Sequence, residues 1–454
     1  MNANWEKRFL AELGQEGILL DDESRERLSK DYYWYSPILK PKLAQYLADG
    51  IVVPKSEEEL VKVIKIAVEH RIPVTLRGAG TGNYGQAIPL TGGIVLDMSQ
   101  LQEVLEIQPG YARVQAGVKL GQLERRLREA GQEMCIYPST FMKSTAAGFV
   151  CGGSAGIGSV EWGFLWDGNV MELTVLTMEE EPRRLTISGK ENLLTYIHAY
   201  GTTGIVTEVV YRLTTRTEWT QIITSFDSTA DALRFANELA YDSSVKKRLI
   251  SQCEWPIPAY FLPLAKLIVP EKDVVFLEVS EENQTQVEAL VHKHHGQVSH
   301  VIPAANYHKG ISLSDYTWNH STLWGMKANP NLTYLQCEFH RTDFLQQVSQ
   351  IKARFGDEYL THFEYLRNDG LITPQCIPLI TFQSEEKLAE MVRFLHSIGV
   401  QTFDPHTFIL EEGGWTEHID AVIATKQQND PYSLLNPGKI GKLQKGSGQK
   451  GVIA

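Results

Sequence analysis

Arg77-Gly-Ala-Gly-Thr-Gly-Asn-Tyr-Gly-Gln86 decides the reading of this 454-residue chain. It follows a short apolar segment, Ile72-Pro-Val-Thr-Leu76, which predicts a strand. Glycines spaced this closely let successive backbone N–H groups converge on one point, forming a nest suited to a pyrophosphate. Arg77 stands at its edge. Gly80, Gly82 and Gly85 also satisfy the spacing G-x-G-x-x-G, but a Rossmann turn needs a helix to begin within those glycines. Here Ile88-Pro89-Leu90 follows, and Pro89 would interrupt such a helix in its first turns. The next segment, Gly93-Ile-Val-Leu-Asp97, predicts another strand. A glycine loop between two strands holds phosphates differently from a Rossmann turn.

Outward from the loop, Ser56 to His70 predicts an amphipathic helix. Ser56 and Glu59 make a capping box, and Leu60, Ile64, Ala67 and Val68 share one face. With Ile51–Val53 before it and Val74–Leu76 after it, the segment reads as a β-α-β unit. A second helix spans Leu120 to Ala130 and ends at Gly131. Strands are expected at Ala112–Ala116 and Met171–Leu176, with an exposed hairpin turn at Met178–Arg184. After Leu213, strand-like and helix-like stretches alternate. These are Gln221–Phe226, Thr229–Ala240, Val274–Val279, Glu288–His295, Leu332–Phe339, Phe344–Ala353, Cys376–Phe382, Glu385–His396 and Gln401–Ile409. Two β-α-β-like passes of this kind predict an α+β domain built on an antiparallel sheet.

Bulk properties narrow the function classes. Composition is that of a globular protein, with 43% hydrophobic and 22% charged residues. A net charge of −12 with no basic stripe argues against nucleic acid and against an anionic membrane face. No run of eighteen apolar residues occurs, so no membrane span is expected. The polar, acidic start lacks the apolar core of a signal peptide, which points to the cytoplasm. Cys135, Cys151, Cys253, Cys337 and Cys376 show no C-x-x-C spacing, as for reduced buried thiols. The tail, Gln444 to Gly451, reads as disordered.

The strand, the RGAGTG loop and the following Gly92-Gly-Ile-Val-Leu-Asp-Met-Ser-Gln-Leu101 together resemble the PCMH-type FAD-binding domain. That domain is shared by vanillyl-alcohol oxidase, p-cresol methylhydroxylase and the glycolate oxidase and D-lactate dehydrogenase flavoproteins. Further segments agree in order. Tyr137-Pro-Ser-Thr140 resembles the turn under the flavin. Ser144 to Gly156 resembles the glycine-rich stretch along the isoalloxazine and ribityl chain. Gly201-Thr-Thr-Gly-Ile-Val-Thr-Glu208 resembles the segment whose backbone near Val206 meets the adenine. Asp430 to Lys439 resembles the D-P-x-x-L-L-N-P-G-K tail that closes the flavin domain. The resemblance implies an α+β fold: a two-subdomain FAD domain over residues 1–216, a ferredoxin-like antiparallel-sheet cap over 217–424, and a segment returning to the FAD domain over 425–454. It implies FAD as cofactor, contacted by Arg77, Gly78, Ala79, Gly80, Thr81, Gly82, Asn83 and Tyr84. Further contacts would come from Pro138, Ser139, Thr140, Ser144, Thr145, Gly148, Cys151, Gly152, Ser154, Ala155, Val206 and Asn436. Thr81 occupies the position of a histidine that tethers the flavin in some relatives, so non-covalent FAD is expected. The H-x-G-D-G-N-x-H and G-E-H-G motifs of the hydroxy-acid relatives are missing. In their place stand Asn368–Ile380 and Phe408–Trp415, the latter keeping Glu411, so no metal is expected.

In the cap, Tyr307 to Trp324 interleaves aromatics with His, Asn and, just beyond, Lys327. Such a run suits a pocket that stacks a planar or apolar substrate and holds its polar end. His320 is the candidate base for a hydroxyl proton, with Asn319 and Lys327 beside it. Candidate substrate contacts are His308, Tyr316, Trp318, Trp324, His362, Arg367 and Glu411. Alternatively, Trp318 and Trp324 are core or interface residues and His320 is a satisfied histidine. His292-Lys-His-His295 reads as the solvated face of a polar helix.

The function expected is FAD-dependent oxidation of a small alcohol or 2-hydroxy acid. Two alternatives are an oxidase or dehydrogenase of an aromatic or sugar alcohol, and an FAD-binding electron-transfer or regulatory subunit without its own substrate. The partner is a small-molecule substrate. The electron acceptor (oxygen, quinone or protein) is left open, as is a homo-oligomer.

Overall fold

The glycine loop is carried by a four-stranded sheet in the order Ile18–Leu19, Gly50–Val52, Ile94–Asp97, Val74–Arg77. The structure, a computed structural model, describes residues 3–414 and 417–446. Gly50–Val52 and Val74–Arg77 both pair in parallel with Ile94–Asp97, which inserts between them. The crossover helix Glu57–Glu69 starts where Ser56 Oγ accepts the Glu59 N–H, while Glu59 Oε2 reaches back to the Lys55 N–H, one residue before the capping-box partner. Its buried Leu60, Val63, Ile64 and Ala67 cover the sheet. The chain's end returns to this sheet: Val74 N–H donates to Leu434 O at 2.8 Å, and Asn436 N–H to Val74 O at 2.7 Å.

A second sheet runs Val104–Gln108, Tyr111–Gln115, Ile205–Thr215, Val170–Leu176, Arg184–Ser188, antiparallel throughout, with Gln132–Met134 also on Ile205–Thr215. The helices Leu120–Glu129 and Ala146–Gly152 accompany it.

The cap is built on an eight-stranded antiparallel sheet, ordered Gln297–Ile302, Trp219–Phe226, Asp273–Ser280, Lys247–Cys253, His362–Asn368, Leu371–Cys376, Gln336–Glu338, Gln401–Phe403, with a smaller three-stranded sheet of Leu332–Tyr334, Leu379–Thr381 and Tyr359–Leu360 beside it. The eight-stranded sheet comes from two β-α-β-β-α-β units, each ferredoxin-like, joined edge to edge where Lys247–Cys253 meets His362–Asn368. The helices are Thr229–Tyr241 and Gln284–Lys293 in the first unit, Phe344–Phe355 and Glu385–Ser397 in the second.

Several expected strands are broken. Leu332–Phe339 divides into Leu332–Tyr334 and Gln336–Glu338, which belong to different sheets. Cys376–Phe382 divides at Pro378, which has no N–H for the ladder, leaving Leu371–Cys376 and Leu379–Thr381. Gln401–Phe403 stops two residues before Pro405. The tail expected to be disordered begins inside the helix Gly441–Gly446, and residues 447–451 lie outside those described, as does Trp415.

Cap and FAD-type domain meet over a buried charge cluster. Arg248, 3% exposed, donates to Met134 O at 2.9 Å and lies 3.8 and 3.6 Å from Glu124 and Glu133. Tyr307 Oη, donating to Glu278 Oε2 at 2.9 Å, also pairs with Tyr137 Oη at 3.0 Å across the boundary.

Candidate active site

A cleft of about 1600 Å3 of empty space, counted to its open mouth, lies among both subdomains and the cap. The glycine loop forms one wall. Gly80 and Gly85 take φ of 65° and 75°, a region that side chains disfavour. A Cβ on Gly80 would sit 2.2 Å from the Arg77 guanidinium, and one on Gly78 would sit 2.1 Å from Thr145 Oγ1. The backbone N–H groups of Ala79, Gly80, Thr81, Gly82 and Asn83 meet no protein acceptor among the described residues. Arg77 is buried, its guanidinium donating to Lys30 O at 2.7 Å. A hydroxyl chain ties the loop to the second subdomain: Thr81 Oγ1 to Ser144 Oγ at 3.1 Å, and Ser144 Oγ to Thr140 Oγ1 at 2.7 Å.

All the residues expected at the cofactor line this cleft except Asn436. Asn436 lies behind the loop, its Nδ2 donating to Gln86 O at 2.8 Å and Tyr200 O at 2.6 Å. Cys151 is on the wall, and burial pushes its thiol up to about 12, so it is neutral and a poor nucleophile.

The opposite wall is the start of the cap helix Asn319–Ala328, with Trp318, Asn319 and His320 lining the cleft. Burial depresses His320 to about 4, and the charges of Lys327 and Lys143 add to this, so the ring is neutral near pH 7. His320 Nδ1 and Asn319 Oδ1 are buried and accept or donate no hydrogen bond within the described protein. Trp318 has φ 51° and ψ −140°, a combination otherwise almost confined to glycine and costing roughly 1–3 kcal/mol.

The remaining candidates stand away from the cleft wall. Tyr316 stacks on Trp324 at 5.7 Å, Trp324 Nε1 donates to Asp315 O, and the exposed Lys327 ammonium lies 5.0 Å over Trp324. His308 packs against the rings of Tyr307 and Phe141 at 4.0 and 5.3 Å. His362 is fully buried among Ser251, Ser321 and Glu364. Arg367 donates to Gly370 O at a hairpin turn of the cap sheet, and Glu411 Oε1 accepts the Lys442 N–H. His294 pairs with Glu238 at 2.7 Å. No group of three or more His, Cys, Asp or Glu among the described residues could hold a metal.

Sequence reading overlooked Asp31, Tyr35, His198, Tyr200 and Gln336, which also line the cleft. Asp31 accepts the N–H groups of Tyr33 and Ala87, and Tyr32 N–H donates to Gly82 O at 2.7 Å, so the N-terminal aromatic run clamps the glycine loop. The signal for it was the density of aromatics in Asp31-Tyr-Tyr-Trp-Tyr35.

Residues 48–186 match the FAD binding domain family. The chain is similar to the glycolate oxidase subunit GlcD of Bacillus subtilis (strain 168), 25% identical over 87% of this chain and 89% of that protein. It is similar over shorter spans to D-2-hydroxyglutarate dehydrogenase of Escherichia coli (strain K12), 33% identical over 34% of this chain and 15% of that one. To D-lactate dehydrogenase of Anaerostipes hadrus it is 27% identical, over 44% and 42%. Among solved structures, alkyldihydroxyacetonephosphate synthase superposes with a TM-score of 0.74 over 97% of this chain and 85% of its own, at 15% identity, a likeness of fold. Residues 48–186 therefore form an FAD-binding domain, and the chain is an FAD-dependent oxidoreductase.

The cleft fits that cofactor. The N–H groups of Ala79 to Asn83, on residues that line the cleft, meet no protein acceptor among the described residues and are the donors a pyrophosphate needs, and Thr145 Oγ1 is buried without a hydrogen-bond partner at the wall. No helix is long and apolar enough to cross a membrane among the described residues.

Proposed function

We infer that this protein oxidises the CH–OH group of a small alcohol or 2-hydroxy acid at the Asn319–His320 end of the cleft. The names of the relatives, which carry glycolate, D-lactate and D-2-hydroxyglutarate, support that class of reaction. Residues 1–216 and 425–454 serve the cofactor, and 217–424 the substrate. The single observation that carries the reading is the opening of the Asn319–Ala328 helix onto the same cleft as the glycine loop.

FAD, when bound, would supply the two-electron acceptor for the carbinol hydride. The backbone N–H groups from Ala79 to Asn83 would hold its pyrophosphate. His320, neutral because it is buried, takes the hydroxyl proton, so the substrate loses one hydride and one proton and leaves as a carbonyl compound. Asn319 orients the hydroxyl through its amide. The cofactor stays non-covalent, because the neutral Cys151 thiol and the Thr81 hydroxyl are poor partners for a tether.

An aromatic or sugar alcohol is favoured by one feature. Arg77 is the only Lys or Arg lining the cleft among the described residues, and its guanidinium is engaged at the glycine loop. The test is His320→Gln: flavin reduction by the best of a hydroxy-acid and alcohol panel should slow by about 10²-fold or more with FAD content unchanged. An unchanged rate would remove His320 from the mechanism.

A further inference from the structure

Trp318 holds a backbone conformation that an L-residue rarely adopts, and it does so directly before the two residues that face the cleft. What fixes it is a set of buried polar atoms on the two central strands of the cap. Glu364 Oε1 accepts the Trp318 N–H at 2.8 Å. The same oxygen accepts Ser251 Oγ–H at 2.8 Å and lies 3.0 Å from His362 Nε2. On the carbonyl side, Ser321 Oγ donates to Trp318 O at 2.6 Å and meets His362 Nδ1 at 2.7 Å. Both ends of the Trp318 residue are thus gripped, one by Glu364 directly and the other by His362 through Ser321. Glu364 and His362 are 1% and 0% exposed, and neither lines the cleft.

We propose that Glu364 and His362 are positioning residues that hold the Trp318 backbone at its positive φ and thereby aim Asn319 and His320 into the cleft. A pair of ionisable groups fully buried in a sheet is costly unless fully hydrogen-bonded, and this pair completes its bonding only through the Trp318 turn. The strand carrying the pair, His362–Asn368, joins the two halves of the cap sheet at its middle by pairing with Lys247–Cys253, so the turn is referenced to a rigid part of the fold. This inference rests on the proposal that the Asn319–His320 end receives substrate.

The experiment compares FAD-loaded wild-type protein with Glu364→Leu and, as a milder change, Ser321→Ala, which removes only the link between Trp318 O and His362. Crystal structures should show Trp318 leaving its positive φ and Asn319 and His320 withdrawing from the cleft, with FAD stoichiometry intact. Should Glu364→Leu fail to fold, Ser321→Ala carries the same reading. Reduction of bound FAD by the fastest of D-lactate, glycolate and benzyl alcohol should slow roughly tenfold or more at saturation in Glu364→Leu. Adding Trp318→Gly should diminish that further loss, because glycine holds such a φ without help, whereas general destabilisation would not be relieved. Retention of the Trp318 conformation in both variants overturns the proposal. If instead the turn shifts as expected while His320→Gln and Asn319→Ala leave reduction unchanged, positioning stands and the substrate reading of this end fails.

Discussion

Asn83 and Tyr334 are hydrogen-bonded, Nδ2 to phenolic oxygen at 2.8 Å, and so join the glycine loop to the cap. A parallel link runs from Gln336 Nε2 to Tyr84 Oη at 2.6 Å. Two successive residues of the loop are thus read by two residues of one cap segment. Tyr334→Phe leaves the buried Asn83 amide short of an acceptor and should cost about 1–3 kcal/mol, measured by denaturant unfolding of the holoprotein. Equal stability would mean that the link is replaced by water.

Gly80→Ala should weaken FAD binding. The position has φ 65°, and the new methyl would meet the Arg77 guanidinium at 2.2 Å, so either the loop or the arginine must move. A loss of roughly tenfold or more in affinity is expected by titration of the apoprotein with FAD, since that strain amounts to about 1–2 kcal/mol.

The acid limb of the reductive half-reaction should lie near pH 4. Burial depresses His320 to about 4, so the ring stays an acceptor as pH falls through 6.5 and is lost as a base only below its folded-state value. The rate of flavin reduction against pH under anaerobic conditions checks this. A midpoint near 6.5 would show that His320 is solvated.

Stability should carry a contribution that is lost as pH rises. Burial lifts Glu124 and Glu278 at the domain boundary from 4.5 to about 7, despite the attraction of Arg248. The folded state therefore binds protons that the unfolded chain releases. This stabilisation is full below about pH 4.5 and disappears as pH climbs through 7. Glu278→Gln mimics the protonated group, and should raise stability at pH 8 by on the order of 1–3 kcal/mol while flattening the slope between pH 5 and 7. A variant with an unaltered slope would place the titration elsewhere.

The cofactor wall was legible in the sequence because it is made of backbone. Glycine spacing, Pro89 and the segments Tyr137–Thr140 and Ser144–Gly156 report on main-chain geometry, which a linear reading captures. The cap's central strands were not legible. Lys247–Cys253 and His362–Asn368 are largely buried on both faces and carry Arg248, Gln252, His362 and Glu364, so neither alternation nor an apolar run marks them. Residue type alone makes His362 a candidate substrate contact, whereas its partners Ser251 and Ser321 come from segments 111 and 41 residues earlier in the chain. Within the aromatic cap run only Trp318, Asn319 and His320 line the cleft, at a helix start where Trp318 takes a backbone conformation that no tryptophan advertises.

The most direct test is a visible spectrum of the purified protein, repeated on the supernatant after acid precipitation and followed by anaerobic titration with glycolate, D-lactate, D-2-hydroxyglutarate and benzyl alcohol. The expected result is a flavin spectrum, full release of FAD into the acid supernatant, and bleaching of the holoprotein by at least one of these CH–OH compounds. A colourless protein that cannot be reconstituted with FAD, or a bound flavin that none of them reduces, would contradict it.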